Sequence, residues 1–208
     1  MSATATSEFQ FDLSGGHLAL DLANSLSRRH DPVRRKEHLG TFLDVVSFFR
    51  QSSLLSPKDA QELREYAMRQ PAEARRSFAK IVKLREAIYR VFAAIAQRKP
   101  VAAADVQIIN DFAVEALGHR ALAPSNRGYG WEWLHDASHR TDWLLWPVAK
   151  AAADLLTSGE LPMLRFCEAP DCEWLFLDHS RNRSRRWCDM KSCGNRAKAR
   201  RHYERTHE

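Results

Sequence analysis

The C-terminal stretch from Cys167 to Arg205 decides the fold, and it reads CEAPDCEWLFLDHSRNRSRRWCDMKSCGNRAKARRHYER. It holds all four cysteines of the 208-residue chain, as the pairs Cys167/Cys172 and Cys188/Cys193. Each pair encloses four residues, and fifteen residues separate the two pairs. Two short loops that each offer two sulfurs, joined by a longer segment, are typical of a tetrahedral metal site. We therefore predict one Zn²⁺ per chain, bound by these four thiolates with no open position for chemistry.

Other uses of the four cysteines have to be weighed against zinc. Two disulfides would need an oxidising compartment, whereas the N-terminus MSATATSEFQF lacks the charged and apolar regions of an export signal. An iron–sulfur cluster also takes four cysteines, but two symmetric pairs favour zinc. Four unrelated core cysteines would not be expected to show this paired spacing. A histidine could also replace one thiolate, the candidates being His179, His202 and His207.

The residues around the cysteines predict a small finger. The run Trp174–Leu177 is apolar and indicates a strand, residues 178–184 are turn-forming, and residues 185–187 would be the returning strand of a hairpin. A helix follows, with Asn195 as a candidate N-cap. The expected fold is treble-clef-like. So small a unit buries little apolar area, so metal binding would supply most of its folding free energy.

The basic charge of the chain is concentrated in this same stretch. Residues 179–207 contain ten Lys and Arg against two acidic residues, a net charge of +8 in a chain whose total is +6. Such a run is often only a solvated surface, but arginine suits bidentate contacts to phosphate and to guanine. We predict nucleic-acid binding by Arg181, Arg183, Arg185, Arg186, Arg196, Lys198, Arg200, Arg201 and Arg205.

The second cysteine pair carries a family resemblance. The run SRRWCDMKSCGNR resembles the CGNR zinc finger, named for Cys193-Gly194-Asn195-Arg196, over about the last 40 residues. That family resembles bacterial transcription regulators, in which DNA binding is inferred from the same basic character. Asp189 stands where serine is common. Its charge is expected to weaken phosphate contacts near the metal while leaving the four ligands intact.

A second set of polar residues lies near the N-terminus. Residues 17–28 have helical periodicity, with His17, Asp21, Asn24 and Arg28 on one face. These residues could line a ligand pocket, but the pattern alone favours an exposed face, or an Asp/Asn pair that caps neighbouring backbone groups. Arg85 falls on an apolar stripe of a later helix, and Asp21 is a candidate partner for it. The possible N-terminal pocket therefore comprises His17, Asp21, Asn24 and Arg85.

The same segment, LALDLANS from Leu18 to Ser25, resembles the opening of the ABATE domain, which commonly precedes the CGNR finger. Further helices are predicted at residues 39–49, 57–68, 71–95, after Pro100, and at 136–157, where Pro147 marks a kink or the true start. A hairpin is expected near residues 121–134. The fold class is thus mainly α: a helical domain with a β-hairpin over residues 1–160, and a four-cysteine zinc finger over residues 161–208.

The predicted function follows from these two parts. The sequence contains no Gly-rich phosphate loop, His-Glu-x-x-His or Gly-x-Ser-x-Gly motif, so we do not expect an enzyme. No apolar run reaches transmembrane length, and we expect a cytoplasmic protein. The leading hypothesis is a zinc-dependent regulator that binds duplex DNA, whose N-terminal domain senses an unknown effector or forms a homodimer. An RNA-binding protein and a zinc-stabilised protein-interaction module are the alternatives.

Overall fold

The computed structural model describes residues 9–126, 128–134 and 141–207. Helices dominate this part of the chain, and three two-stranded antiparallel sheets accompany them. The α-helices are α1 (Leu18–Ala23), α2 (Phe42–Gln51), α3 (Pro57–Arg69), α4 (Pro71–Ala96), α5 (Ala103–Gly118), α6 (Leu145–Thr157) and α7 (Asn195–His207). The strands are β1 (Leu26–Ser27), β2 (Lys36–Glu37), β3 (Arg120–Ser125), β4 (Gly128–Trp133), β5 (Leu164–Phe166) and β6 (Leu175–Leu177). The mainly α fold class is confirmed.

Local signals fix the starts of the predicted helices. Thr41 and Asp44 form a reciprocal capping box before α2. Ser56 caps α3, and Pro57 occupies the first position, where a missing N–H costs nothing. The 26-residue helix α4 lies in the middle of the domain and packs against α1, α2, α3, α5 and α6. Its inward face supplies Leu84, Ile88 and other side chains of the main core.

The predicted β-hairpin is confirmed by β3 and β4, which pair with Leu122 opposite Trp131. The predicted helix over residues 136–157 begins later than expected. A short 3-10 turn over Asp142–Leu144 leads into α6 at Leu145, so that Pro147 sits in the first turn and breaks no helical hydrogen bond. Residues 136–140 of that prediction lie outside the described residues. No helix in the described ranges is long and apolar enough to cross a membrane.

The first helix is shorter than its periodicity suggests. α1 ends at Ala23, Asn24 caps its C-terminal end, and the chain continues into β1. Arg28 follows β1 with a left-handed φ of 55°. The prediction that Arg28 shares a helix face with Asp21 is therefore wrong. The apolar spacing of residues 18–26 continues through β1, and periodicity alone cannot separate the two elements.

The hairpin predicted inside the finger has a different partner strand. β6 pairs with β5, which precedes it, through Leu164–Leu177 and Phe166–Leu175. Residues 185–187 instead run past the first cysteine loop, where the backbone N–H of Glu168 donates to the carbonyl of Arg186 (3.0 Å). β6 pairs with β5 because burial of apolar side chains favours this pairing. Leu164 of β5 is buried like the side chains of β6, so β5 belongs to the core.

The hairpin β5–β6 belongs to two cores at once. Because side chains alternate along a strand, Leu175 and Leu177 pack into the helical core, together with Leu164. Phe176 points the other way and packs with the four cysteines. The finger is therefore built on a strand pair whose other face completes the helical domain.

Candidate metal centre

The four cysteines converge at the tip of the β5–β6 hairpin and the start of α7. All four are buried, and their sulfur atoms lie within 4.8 Å of one another. The Sγ atoms of Cys172 and Cys188 are 3.5 Å apart, and those of Cys188 and Cys193 are 3.6 Å apart. Four sulfurs at about 2.3 Å from one zinc ion would be about 3.8 Å apart in a tetrahedron. These distances fit one zinc ion and are far longer than a disulfide bond.

The first pair of sulfurs is placed by a tight loop between β5 and β6. The backbone N–H of Cys167 donates to the carbonyl of Trp174 (2.8 Å), and that of Cys172 donates to the carbonyl of Ala169 (3.1 Å). The N–H of Cys188 donates to the sulfur of Cys167 (3.4 Å), a bond that links the second pair to the first. The suggested ligand His179 instead lies 3.2 Å from Glu160.

The second pair of sulfurs is placed by a single wide turn over Met190–Gly194. The carboxylate of Asp189 accepts from the N–H of Ser192 (2.7 Å) and caps this turn. A side chain at Gly194 would place its Cβ 2.8 Å from the sulfur of Met190, so the exposed end of that methionine would have to move. Asn195 is already helical, and its amide donates to the carbonyl of Lys191 (3.0 Å). The prediction of Asn195 as N-cap is wrong, because the wide turn supplies the preceding backbone.

Two of the predicted DNA-contacting arginines belong to the metal centre itself. The guanidinium of Arg196 lies 3.2 Å from the sulfur of Cys193 and 3.4 Å from Asp171. Arg185 donates to the carbonyls of Trp187 (2.9 Å) and Cys188 and covers the ring of Phe176 at 4.6 Å. Arg185 is thus a structural residue that uses its Nε and one of its Nη atoms on these carbonyls. Arg196 partly balances the negative charge that four thiolates leave around one Zn²⁺.

The other predicted basic residues lie on the surface. Arg186 is paired with Glu168 (2.5 Å) and packs over Trp187. The remaining six side chains are all exposed: Arg181, Arg183, Lys198, Arg200, Arg201 and Arg205. Arg201 and Arg205 make only long hydrogen bonds, of 3.4 and 3.2 Å, to carbonyls one turn back in α7. The structure therefore brings Arg186, Arg200 and Arg201 together with Arg196 along one groove beside Cys193.

Three residues of the predicted N-terminal pocket, Asp21, Asn24 and Arg85, each have their own partners. Asp21 is buried and accepts from the N–H of Gly15 (2.9 Å) and from the next two backbone amides. Burial raises the pKa of Asp21 to about 7, although these amides counteract the shift. A Cβ at Gly15 would lie 2.7 Å from the Asp21 oxygen, and Gly16 has a φ of +72°. His17 is half-buried, and burial lowers its pKa. Asp21 is therefore a backbone cap.

The proposed pairing of Arg85 with Asp21 is wrong. Arg85 is 2% exposed and makes a bidentate ion pair with Glu37 (2.6 and 2.8 Å) and a further bond to Glu86 (2.9 Å). Burial alone would raise the pKa of Glu37, but the bonds from Arg85 outweigh it and lower that pKa. Glu37 was missed because it lies in a polar connection, and no local pattern shows that β2 turns back over α4.

Asn24 has a role that the sequence did not reveal. Its side-chain amide donates to the carbonyl of Leu175 (2.8 Å), and its oxygen accepts from the N–H of the same residue (2.9 Å). Nearby, Tyr89 donates to the carbonyl of Glu173 (3.2 Å), and Trp174 donates to Ser27 (3.2 Å). These contacts join residues that lie far apart in sequence, so only a structure could connect them. They fix the finger to the helical domain.

Comparison with known families agrees with this arrangement. A family model named ABATE, described as "Putative stress-induced transcription regulator", matches residues 16–159. The chain belongs to the ABATE family. The CGNR zinc finger model matches residues 163–206, which include all four cysteines. No curated protein matches the sequence significantly.

The two polar residues at the start of the matched region, Asp21 and Asn24, have structural contacts. In this ABATE protein Asp21 holds the turn before α1, and Asn24 holds the CGNR finger through Leu175. The cysteine cluster and the CGNR match together identify a zinc-binding regulatory protein. Its four zinc ligands would be Cys167, Cys172, Cys188 and Cys193, and the metal would have a structural task, since no ligand position is left for substrate.

Proposed function

We propose that this ABATE protein is a transcription regulator that binds duplex DNA through its zinc finger. One observation carries the proposal: the basic stretch of net charge +8 forms an exposed helix and loop anchored on the zinc cysteines. A charged tail without such an anchor samples many directions. Here the turn that holds Cys193 leads directly into α7, so the cations of its first turns have fixed positions relative to the finger.

The cations of α7 fall into two groups. Lys198, Arg201 and Arg205 follow one another at spacings of three and four and so share one exposed stripe. Arg200 lies one turn after Arg196, and both line a groove beside the first cysteine loop, which Arg201 also borders. An exposed helix of this kind can enter the major groove, where lysine and arginine contact phosphates and arginine recognises guanine. Arg200 is the preferred candidate for contact with a base.

Duplex DNA is favoured over RNA by the positions of the tryptophans. Sequence-specific RNA recognition relies on aromatic side chains that stack on unpaired bases. Trp174 donates its indole N–H to Ser27, and Trp187 is half-buried against the cysteines. Both indoles thus serve the packing of the finger. The deep, narrow major groove of A-form RNA also excludes a helix that B-DNA would admit.

The other functional expectations remain predictions. The absence of familiar catalytic motifs supports the proposal that this protein is not an enzyme. A zinc site closed by four thiolates is consistent with that proposal. An effector of the helical domain and a homodimer would both be consistent with a regulator. A pure protein-interaction module is the competing function, and it differs in one measurable respect, since its partner binding should not weaken steeply with salt.

The proposal is tested by selecting bound sequences from random duplex DNA, beside a pool of structured RNA, with zinc-loaded protein. We expect enrichment of a short DNA motif. The double variant Lys198→Ala/Arg201→Ala should weaken binding and lower the slope of log affinity against log salt by about two. A matched control is Arg75→Ala/Arg76→Ala, two exposed cations on α4 about 20 Å along the helix from Tyr89, where α4 touches the finger. No enrichment in the DNA pool would contradict the proposal.

A further inference from the structure

A second basic segment lies beside the zinc finger, in the helical domain. The loop of residues 28–35 joins β1 to β2, and together with Lys36 it carries five cations against one acid, Asp31. Arg29 is used internally, since it pairs with Glu86 (2.6 Å) and covers the ring of Tyr89. Arg34, Arg35 and Lys36 are exposed. This cluster is separate from the basic residues on which the proposed function rests.

One carboxylate ties this loop to the DNA-binding helix. Asp171, in the first cysteine loop, lies 3.6 Å from Arg28 and 3.4 Å from Arg196. The carboxylate of Asp171 thus lies between Arg28 of the loop and Arg196 in the first turn of α7. Arg28 has a left-handed backbone conformation at this point. His30 adds a second link between the loop and the finger, since its ring contacts the carboxylate of Glu173 and its backbone N–H donates to the same carboxylate (3.1 Å). The loop thus has a defined position next to α7.

Between the loop and the finger runs an open groove of about 450 Å³. Arg28, Arg34 and Lys36 line it from the helical domain, and Arg196 lines it from α7. Arg35, although it neighbours two of these residues in sequence, is outside the lining. Arg28, Arg34 and Lys36 therefore face the finger across the groove, whereas Arg35 does not.

The cations that line the groove differ in how closely they are paired with acids. Arg28 and Arg196 face Asp171 and the thiolates of the metal centre. Asp12 also lines the groove, and burial lowers the pKa of His38, which is neutral near pH 7. Arg34 and Lys36 are exposed, and Arg34 has only a distant partner, Asp31 at 3.8 Å. Four cations thus line the groove against the two carboxylates of Asp12 and Asp171, and an anion is expected to bind beside Arg34 and Lys36, the loop cations that are exposed.

We propose that Arg34 and Lys36 form a second contact with the DNA backbone, on the same duplex that α7 binds. The inference rests on the proposed function and extends it, because it assigns part of the DNA interface to the ABATE domain. One short basic helix contacts only a few base pairs, which gives little specificity or affinity. A second phosphate contact within the same chain would increase affinity and fix the orientation of α7 on the duplex.

The test compares affinities for one DNA duplex over a range of salt, using full-length zinc-loaded protein. Arg34→Ala/Lys36→Ala should weaken binding and lower the salt slope by about two, since each phosphate contact contributes about 0.9. Arg35→Ala should have less than half the effect of Arg34→Ala. Arg34→Lys/Lys36→Arg should retain the affinity, because phosphate contacts need charge rather than one side chain. Zinc content and thermal unfolding confirm that each variant is folded.

The outcomes separate this inference from the proposed function. If Arg34→Ala/Lys36→Ala behaves like Arg75→Ala/Arg76→Ala while Lys198→Ala/Arg201→Ala is weakened, the second contact is wrong and the finger remains the DNA-binding element. Equal effects of Arg34→Ala and Arg35→Ala would also overturn the inference, because they would show only a general charge effect. If the unmodified protein has no salt-dependent affinity for duplex DNA, or prefers structured RNA, the proposed function fails and the inference fails with it.

Discussion

The side chain of Asn24 and the backbone of Leu175 form a closed pair of hydrogen bonds, 2.8 and 2.9 Å long, across 151 residues of sequence. A carboxamide offers one donor and one acceptor in the same geometry as a neighbouring β-strand. Asn24 thereby satisfies both polar groups of a strand residue that is fully buried. This pair joins the helical domain to the finger at the strand whose other face carries Phe176 and the cysteines.

Replacement of Asn24 by alanine should destabilise the protein markedly. The change leaves the N–H and the carbonyl of Leu175 buried without their partners, and each unsatisfied group costs about 1–3 kcal/mol. Chemical unfolding of zinc-loaded protein measures the loss. Asn110→Ala, at an exposed position on α5, is the control and should change the free energy of unfolding by less than about 0.5 kcal/mol. Equal stabilities of the two variants would show that the pair contributes nothing.

The ion pair of Arg85 with Glu37 gives a second prediction. Glu37→Ala should lower the free energy of unfolding by about 1–3 kcal/mol, since it leaves Arg85, which is 2% exposed, with Glu86 as its remaining carboxylate. The exposed pair of Lys58 with Glu62 (3.9 Å) provides the comparison, and Glu62→Ala should cost less than about 0.5 kcal/mol. The paired measurement tests burial rather than charge, because both variants lose one glutamate.

The sequence predicted the cysteine cluster, most helices and the β3–β4 hairpin for physical reasons that act locally. Cysteine spacing, capping residues and apolar periodicity are short-range signals, and Ser56 and Pro57 marked the start of α3 to the residue. Besides misplaced element ends at Arg28, Leu145 and Asn195, the failures concern pairings between distant segments. Arg85 pairs with Glu37 rather than Asp21, and β6 pairs with β5 rather than with residues 185–187. Nothing local distinguishes the correct partner from the wrong one.

The basic residues illustrate the same limit within the candidate site. Their number and sign were plain from the sequence, but their tasks were not. Arg185 uses its donors on the carbonyls of Trp187 and Cys188, whereas Arg200 stays on the surface. Both are arginines in one basic stretch, and only the path of the chain around the cysteines separates a structural residue from a candidate DNA contact.

The buried carboxyl of Asp21 predicts a pH dependence of stability. Burial raises its pKa to about 7 in the folded protein, whereas its ordinary value is 3.8. Between these two values the folded protein retains a proton that the unfolded chain releases, so the contribution of Asp21 to the free energy of unfolding falls as pH rises from about 4 to about 7. Above pH 7 the loss is complete.

Unfolding of the native protein and of Asp21→Asn at pH 5 and pH 8 tests this sign. Asparagine keeps an oxygen that can accept from Gly15, but it does not titrate. The loss of stability between the two pH values should therefore be smaller in the variant. Protonation of the zinc thiolates affects both proteins alike and cancels in the comparison. An identical pH dependence in the two proteins would show that Asp21 titrates near its ordinary value.

Removal of zinc should unfold only part of the finger. The metal supplies the stability of the Met190–Gly194 turn and of α7, because α7 packs chiefly on that turn. The hairpin β5–β6 has independent support: Leu164, Leu175 and Leu177 are in the helical core, the N–H of Leu177 donates to the carbonyl of Gly15 (3.0 Å), and the N–H of Leu175 donates to Asn24. We therefore expect the finger to come apart in two steps.

Hydrogen exchange before and after treatment with a chelator distinguishes these steps. The amides of Leu175 and Leu177 should stay protected without zinc, while those of residues 198–205 in α7 should exchange freely. Cys193→Ser, which removes one zinc ligand, should reproduce this pattern even when zinc is present. Elemental analysis of the reduced native protein should find one zinc per chain, and the variant should hold much less. Loss of protection at Leu175 and Leu177 together with α7 would mean that zinc, and not the helical core, holds the hairpin in place.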